Sequence, residues 1–243
     1  MSAAASSGPA EAGASRDGRD LRWNQHREQR RRHILDAAVE VVEAAPAGSE
    51  MTLQDVAEQA GLVRTVVQRH FGGRSGLLRA VQADVLREAF SLISAPIDAS
   101  VTFRQLISQL VGETVRWVHD HPNLHVLVER EVGDGGASEL SKAIDSYADF
   151  MTEVEEAFLA PYGVELDERA LREVKLLYTG VIGQVRATVS HWAQRQSQVV
   201  SADELRDLLA DWIEAQIVRH AETRGVAFTP TTTFGGVVGS EGA

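Results

Sequence analysis

Seven arginines, Arg16, Arg19, Arg22, Arg27, Arg30, Arg31 and Arg32, fall within residues 16–32, against only Asp17, Asp20 and Glu28. Guanidinium groups at this density can neutralise phosphates, because each is permanently charged and presents a planar fork of donors. The same residues can equally form the solvated face of a charged helix. The formal net charge is -11, yet residues 1–80 carry 11 Arg against 10 acids, whereas residues 81–243 carry 13 basic and 25 acidic groups. A polyanion responds to the field within a Debye length, roughly 8–10 Å, rather than to the whole-molecule total. The N-terminal third can therefore meet nucleic acid while the acidic remainder is pushed away and orients it.

A second group with chemical capacity is His119, His121 and His125, with Glu129. His121, His125 and Glu129 recur every four residues and could share a helix face. Zinc, however, needs ligands converging at about 2.0–2.1 Å, and Pro122 opens a new helix that turns His119 elsewhere. These read as surface or pocket histidines, and neither a metal nor another cofactor is expected. The absence of cysteine excludes disulfides, Cys-based zinc fingers and thiol switches. No nucleophile elbow, phosphate loop, HExxH or dinucleotide fingerprint occurs, so an enzyme is not expected. No apolar run approaches the roughly 18 residues of a membrane span, and the first twenty residues lack the apolar stretch of a secretory signal. A cytoplasmic protein with no membrane partner is the expectation.

The elements that must position these groups are helical throughout. A first helix is predicted from near Gln25 to Ala45, with Ile34, Ala37, Ala38, Val41, Val42 and Ala45 on one face, the i, i+3, i+4, i+7 pattern. Pro46, Gly48 and Ser49 stop it. Thr52-x-x-Asp55 resembles a capping box opening a second helix, whose buried face is Leu53, Val56, Ala57 and Ala60. Gly61 supplies the positive φ of a tight turn, a short third helix covers about Val63 to His70, and Ser75 opens a fourth to about Ile93. Further helices are predicted near 101–119, 122–131, 137–160, 167–194 and 202–223, the last opened by Ser201-x-x-Glu204. The fold class is all-α with about nine helices. Residues 1–20 and 226–243 read as disordered tails, 21–75 as an N-terminal three-helix unit with its arginine-rich arm, and 76–225 as a larger helical domain. Two short helices joined at Gly61 and braced by a longer one fit the helix-turn-helix plan, in which the second helix is held outward to enter a major groove.

The residues Ile34-Leu35-Asp36-Ala37-Ala38, Thr52-Leu53-Gln54-Asp55-Val56-Ala57, Ala60-Gly61-Leu62 and Arg69-His70-Phe71, with Arg74, Leu77 and Leu78, resemble in order and spacing the DNA-binding domain of the TetR (tetracycline-repressor-like) family over about residues 27–80. The departures are Val63 where the family has a Ser or Thr cap, Val66 where it often has Thr, and Gln68 where it usually has Tyr. The hydroxyls that commonly touch phosphates are thus missing, leaving Arg64, Thr65, Gln68, Arg69 and His70 as the polar set of the third helix. Arg pairs bidentately with guanine and Gln with adenine. Thr52, Arg74 and the arm, with Arg27 and Arg31 foremost and Arg30 beside them, are expected to anchor phosphates instead.

The resemblance further implies a homodimer that binds a small molecule in its C-terminal domain. Trp117, His121, Leu124, Leu127, Val128, Tyr147, Phe150, Met151, Val154, Phe158 and Tyr178 are the candidate pocket lining, although aromatics at helical spacing also build ordinary cores. For the dimer interface, Val181, Val185 and Trp192 on the penultimate helix, with Gly180 and Gly183, and Leu205, Leu209, Trp212 and Ile213 on the last are candidates; the same stripes could serve the monomer core. The functional expectation is a sequence-specific, ligand-responsive transcriptional regulator, a repressor released from a palindromic double-stranded DNA operator, with the fourth helix as the lever between domains. The competing expectation is a helical small-molecule sensor whose DNA-reading helix has decayed at Val63, Val66 and Gln68. An enzyme using the C-terminal cavity is a third.

Overall fold

The structure is a computed structural model that describes residues 11–46, 48–93, 100–130, 132, 137–194, 199–227 and 232–233. Among these, the α-helices are α1 (Glu11–Ala44), α2 (Leu53–Gln59), α3 (Arg64–Phe71), α4 (Arg74–Ile93), α5 (Phe103–Asp120), α6 (Pro122–Glu129), α7 (Glu139–Leu159), α8 (Glu168–Gln194) and α9 (Ala202–Glu222), with a 3₁₀ turn at Ala160–Tyr162. The chain divides into two compact units, Met1–Val81 and Gln82–Ala243. The division falls within α4, later than the 75/76 boundary expected from sequence. No helix among the described residues is long and apolar enough to cross a membrane.

In the first unit, the expected face of α1 supplies Ile34, Ala37, Ala38 and Val42 to the core, joined by Leu35, by Leu53, Val56 and Ala57 of α2, by Val67 and Phe71 of α3 and by Leu77, Leu78 and Val81 of α4. Helix α2 opens with the predicted capping box: the Thr52 hydroxyl accepts from the Asp55 amide at 3.2 Å and the Asp55 carboxylate accepts from the Thr52 amide at 3.0 Å. Gly61 takes φ +63°, and the Leu62 amide returns to the Ala57 carbonyl at 2.8 Å, closing the turn. Helix α3 starts at Val63 with no side-chain cap.

The first correction concerns the start of α1. It begins at Glu11, well before Gln25, and takes in residues 11–20 of the segment read as a tail. No proline interrupts the stretch, and the cost of Gly13 and Gly18, about 1 kcal/mol each, is not enough to stop a helix rich in Ala, Arg, Glu and Leu. The rest of that segment, residues 1–10, lies outside the described residues.

In the second unit, Phe103, Ile107, Val111, Val115 and Val118 of α5 pack with Val174, Tyr178, Val181 and Val189 of α8 and with Leu205, Leu209, Ile213 and Ile217 of α9. Arg104 clamps α5 to α9 through Asp211 at 2.5 Å and Glu214 at 2.8 Å. Ser201 and Glu204 form the predicted capping box of α9. The C-terminal segment is the second correction. Val226 is buried with Phe158, Leu159 and Ala221, and Thr233 forms an antiparallel bridge with Thr102 while the Thr232 carbonyl accepts from the Phe103 amide at 3.2 Å. An apolar anchor and a backbone pairing hold this part of the expected tail; residues 228–231 and 234–243 lie outside the described residues.

A Cβ added at Gly76 would overlap the carbonyl oxygen of Phe71. Gly76→Ala is therefore expected to force the start of α4 off α3 at a cost of about 1–3 kcal/mol, read as a fall of several degrees in the thermal midpoint by circular dichroism. An unchanged midpoint would remove the requirement for glycine.

Candidate functional site

Helix α3 buries only Val67 and Phe71. Arg64, Thr65, Gln68 and Arg69 are exposed, Val63 is 64% exposed, and Val66 and His70 are half-buried. Of the polar set anticipated from sequence, all but His70 are thus exposed on one short helix. The guanidinium of Arg31, half-buried on α1, lies over the Phe71 ring at 4.8 Å, a cation–π contact that braces α3 against α1. Arg27 is exposed and stands 5.9 Å over the Trp23 ring. The imidazole of His70 is held below its ordinary pKa, first by burial and then by the positive field of Arg69, Arg27, Arg30 and Arg31. The arm and the end of α3 therefore build one positive patch.

Two expected phosphate anchors have structural work of their own. Arg74 donates from Nε to the Met51 carbonyl and through a terminal nitrogen to Glu50, both at 2.9 Å, tying the loop before α2 to the start of α4. The Thr52 oxygen accepts its capping bond, which leaves the hydroxyl hydrogen to donate.

The second unit contains a partly open cavity of about 280 Å³. Of the residues anticipated for it, Trp117, Val128, Tyr147, Met151, Val154, Phe158 and Tyr178 line it; His121, Leu124, Leu127 and Phe150 do not. Leu124 and Leu127 are buried elsewhere on α6, and the half-buried Phe150 stacks on Tyr147 at 6.3 Å. His121 occupies the N-cap position of α6 without a side-chain cap bond, and its ring lies 5.7 Å from that of Trp117. Val181, Val185 and Ile213, anticipated at a dimer interface, line the cavity instead. Burial pushes the Tyr147 and Tyr178 phenols up, so both stay protonated donors. His125 is kept below its ordinary value, mainly by burial and also by Arg186, and its Nε2 lies 2.9 Å from the Ser190 hydroxyl.

Three carboxylates reach the cavity wall. Glu113 pairs with Arg116 at 2.7 Å and Glu129 with Arg186 at 3.3 Å. Glu155 is 5% exposed, and its Oε2 has no hydrogen-bond partner among the described residues. Burial pushes its carboxyl up, opposed by a hydrogen bond from the Tyr178 hydroxyl and by the charge of Arg224.

Helices α8 and α9 keep a separate apolar surface. Leu176 is 71% exposed, Trp212 46% and Leu208 42%, and Gly180 is exposed on the same helix as Leu176. Of the anticipated interface residues, Leu205 and Leu209 are in the core of their own unit, and Trp192 is half-buried, donating its indole N–H to the Val200 carbonyl at 2.8 Å. Of that set, Trp212 and Gly180 are exposed, because the period of the α9 stripe also fits the groove against α5.

Comparison with known proteins fits this geometry. The chain superposes on a TetR-family transcriptional regulator from Streptomyces coelicolor with TM-score 0.61 at 17% identity, covering 81% of this chain and 83% of that one. It superposes on the transcriptional regulator FadR from Bacillus subtilis, solved with stearoyl-CoA, with TM-score 0.53 at 15% identity over 74% of this chain and 96% of that one. The chain has the TetR-family fold. By sequence it is 36% identical over 105 residues to the HTH-type transcriptional repressor LfrR of Mycolicibacterium smegmatis, covering 40% of this chain and 53% of that protein. It is 30% identical over 104 residues to an uncharacterised HTH-type transcriptional regulator of Mycobacterium tuberculosis, covering 41% of this chain and 43% of that one. The chain spans about half the length of the curated relatives it matches. No family model matches it.

Within this TetR-family fold, Glu155 and Arg186 were not anticipated from sequence. The signal for Glu155 was present: Ala148, Met151, Glu155 and Phe158 keep one helical phase, which places a carboxylate where α7 is otherwise apolar.

Because positive neighbours disfavour imidazolium, replacing Arg31 by Gln is expected to raise the His70 midpoint toward its ordinary value in an NMR titration. A midpoint that stays put would separate the arm from α3.

Proposed function

We propose that this chain is a homodimeric transcriptional regulator, a repressor that leaves a palindromic DNA operator when a small molecule enters the cavity of its second unit. One observation carries the DNA half of the reading. Arg64, Thr65, Gln68 and Arg69 stand outward on α3 while Val67 and Phe71 hold the helix down. A short helix presented in this way offers its side chains to base edges in a major groove. This favours the regulator over a sensor with a decayed reading helix. Val63 and Val66 remove hydroxyls, but Arg64 and Gln68 retain the donors and acceptor that base recognition needs. Arg27 and the neighbouring arm supply phosphate contacts, and Thr52 adds a hydroxyl donor. Arg31 and Arg74 contribute chiefly by holding α1, α3 and the α2 loop in place.

A helix of eight residues reads few base pairs, so two copies related by a two-fold are needed for useful specificity. Leu176, Leu208 and Trp212 are the proposed centre of the contact between copies, with exposed Gly180 permitting close approach of a second backbone. The ligand acts by population shift: it lowers DNA affinity by the difference between its affinities for the two states, typically about 1–3 kcal/mol. Helix α4 is the covalent route. It gives Leu77, Leu78 and Val81 to the first core and Leu86, Ala89 and Phe90 to the cavity wall.

Selection of bound duplexes from a random pool tests the reading, with an inverted repeat as the expected product; a pool that never enriches would overturn it. On the selected site, Arg64→Ala and Gln68→Ala are each expected to relax preference at one base position by about 1–3 kcal/mol. Arg27→Ala should weaken all sequences alike and lower the salt slope by about one. Trp212→Glu is expected to convert a sedimenting dimer to monomer; a dimer that persists would exclude this face.

A further inference from the structure

The three carboxylates of the cavity wall are not equivalent. Glu113 and Glu129 have guanidinium partners, at 2.7 and 3.3 Å, and their charges are locally balanced. Glu155 has neither a Lys nor an Arg within salt-bridge distance among the described residues. The His220 Nε2 lies 3.5 Å from its Oε1, and the His220 Nδ1 lies 3.3 Å from a terminal nitrogen of Arg224. Since guanidinium only donates, Nδ1 accepts and the imidazole proton sits on Nε2. His220 is held below its ordinary pKa by burial and by Arg224, and near neutral pH it does not balance Glu155. Arg224 itself is engaged with Glu173 at 3.5 Å. An acceptor oxygen without a donor, in a wall rich in Phe, Tyr and Trp, costs free energy unless a ligand completes it.

Charge and shape agree on what would complete it. A cation is stabilised both by a carboxylate and by the negative faces of aromatic rings, and Phe158 and Tyr178 line the same cavity as Glu155. The surrounding residues 81–243 carry 13 basic against 25 acidic groups, a field that concentrates cations and repels carboxylates. An unpartnered acceptor additionally selects a cation that can donate.

We propose that the cavity selects hydrophobic amines in their protonated form, with Glu155 receiving the ammonium N–H and the apolar wall holding the rest of the molecule. This rests on the reading of the cavity as a ligand site and names the chemical class it takes.

The test is isothermal titration of the full chain with four probes that share a ten-carbon tail: decylamine, decyltrimethylammonium, decanol and decanoate, each below its micellar concentration. Decylamine is expected to bind about tenfold or more tightly than decanol, the magnitude of one charge-assisted hydrogen bond. Decyltrimethylammonium, charged but without an N–H, falls between them, and decanoate is weakest. Glu155→Gln reduces decylamine to the affinity of decanol and leaves decanol unchanged. The unaltered protein gives an independent reading, which decides if the variant does not fold. As the pH is lowered, decylamine weakens more than decanol, because Glu155, whose carboxyl burial holds above its ordinary value, is neutralised and His220 beside it gains charge, while Arg224 keeps its charge and Tyr178 its proton. Decanol or decanoate binding as tightly as decylamine, or a decylamine preference that survives Glu155→Gln, would overturn the amine selectivity and leave the cavity a ligand site. No binding of any of the four would overturn both.

Discussion

Val67 and Phe71 are the only residues that α3 buries, and everything the first unit can do depends on that narrow edge. A helix of two turns has little intrinsic stability in water, so its position must come from packing. Burying a side chain of this size contributes roughly 1.5–3 kcal/mol, and the contact of Arg31 with the outer face of Phe71 closes the anchor from above. Because only one edge is committed, the remaining faces stay in solvent. A wider apolar stripe would have held the helix more firmly and left less of it to meet a partner.

The second unit solves a different problem. Helices α5, α8 and α9 pack tightly enough to bury Leu209, Val174 and Val189 completely or nearly so, yet the bundle leaves a sizeable cavity beside them. The wall combines aromatic surface with isolated polar groups; His125 meets Ser190 and Glu129 meets Arg186, whereas Oε2 of Glu155 has no hydrogen-bond partner among the described residues.

The first unit was largely legible from sequence because its signals are local. Thr52 with Asp55, and Gly61 between two short amphipathic stretches, fix caps and a turn within a few residues. The start of α1 was not legible, since two glycines among good helix formers leave the balance to a small difference in free energy. The second unit was less legible because its signals are non-local. The period of Leu205, Leu209 and Ile213 marks a buried stripe but not the surface that buries it, and α5 supplies that surface rather than a second chain. Val181 and Val185 read as outward for the same reason, and Leu124, Leu127 and Phe150 read as lining because apolar character alone does not distinguish a cavity wall from the packing behind it.

The pairing of Thr102 with Thr233 gives a two-residue segment an influence beyond its length. The Thr232 carbonyl holds the amide of Phe103, and the side chain of Phe103 belongs to the wall of the cavity. The segment at Thr232 and Thr233 thus acts as a stay on the first turn of α5. A change at Thr232 or Thr233 therefore bears on one panel of the cavity wall while the other lining residues remain the same.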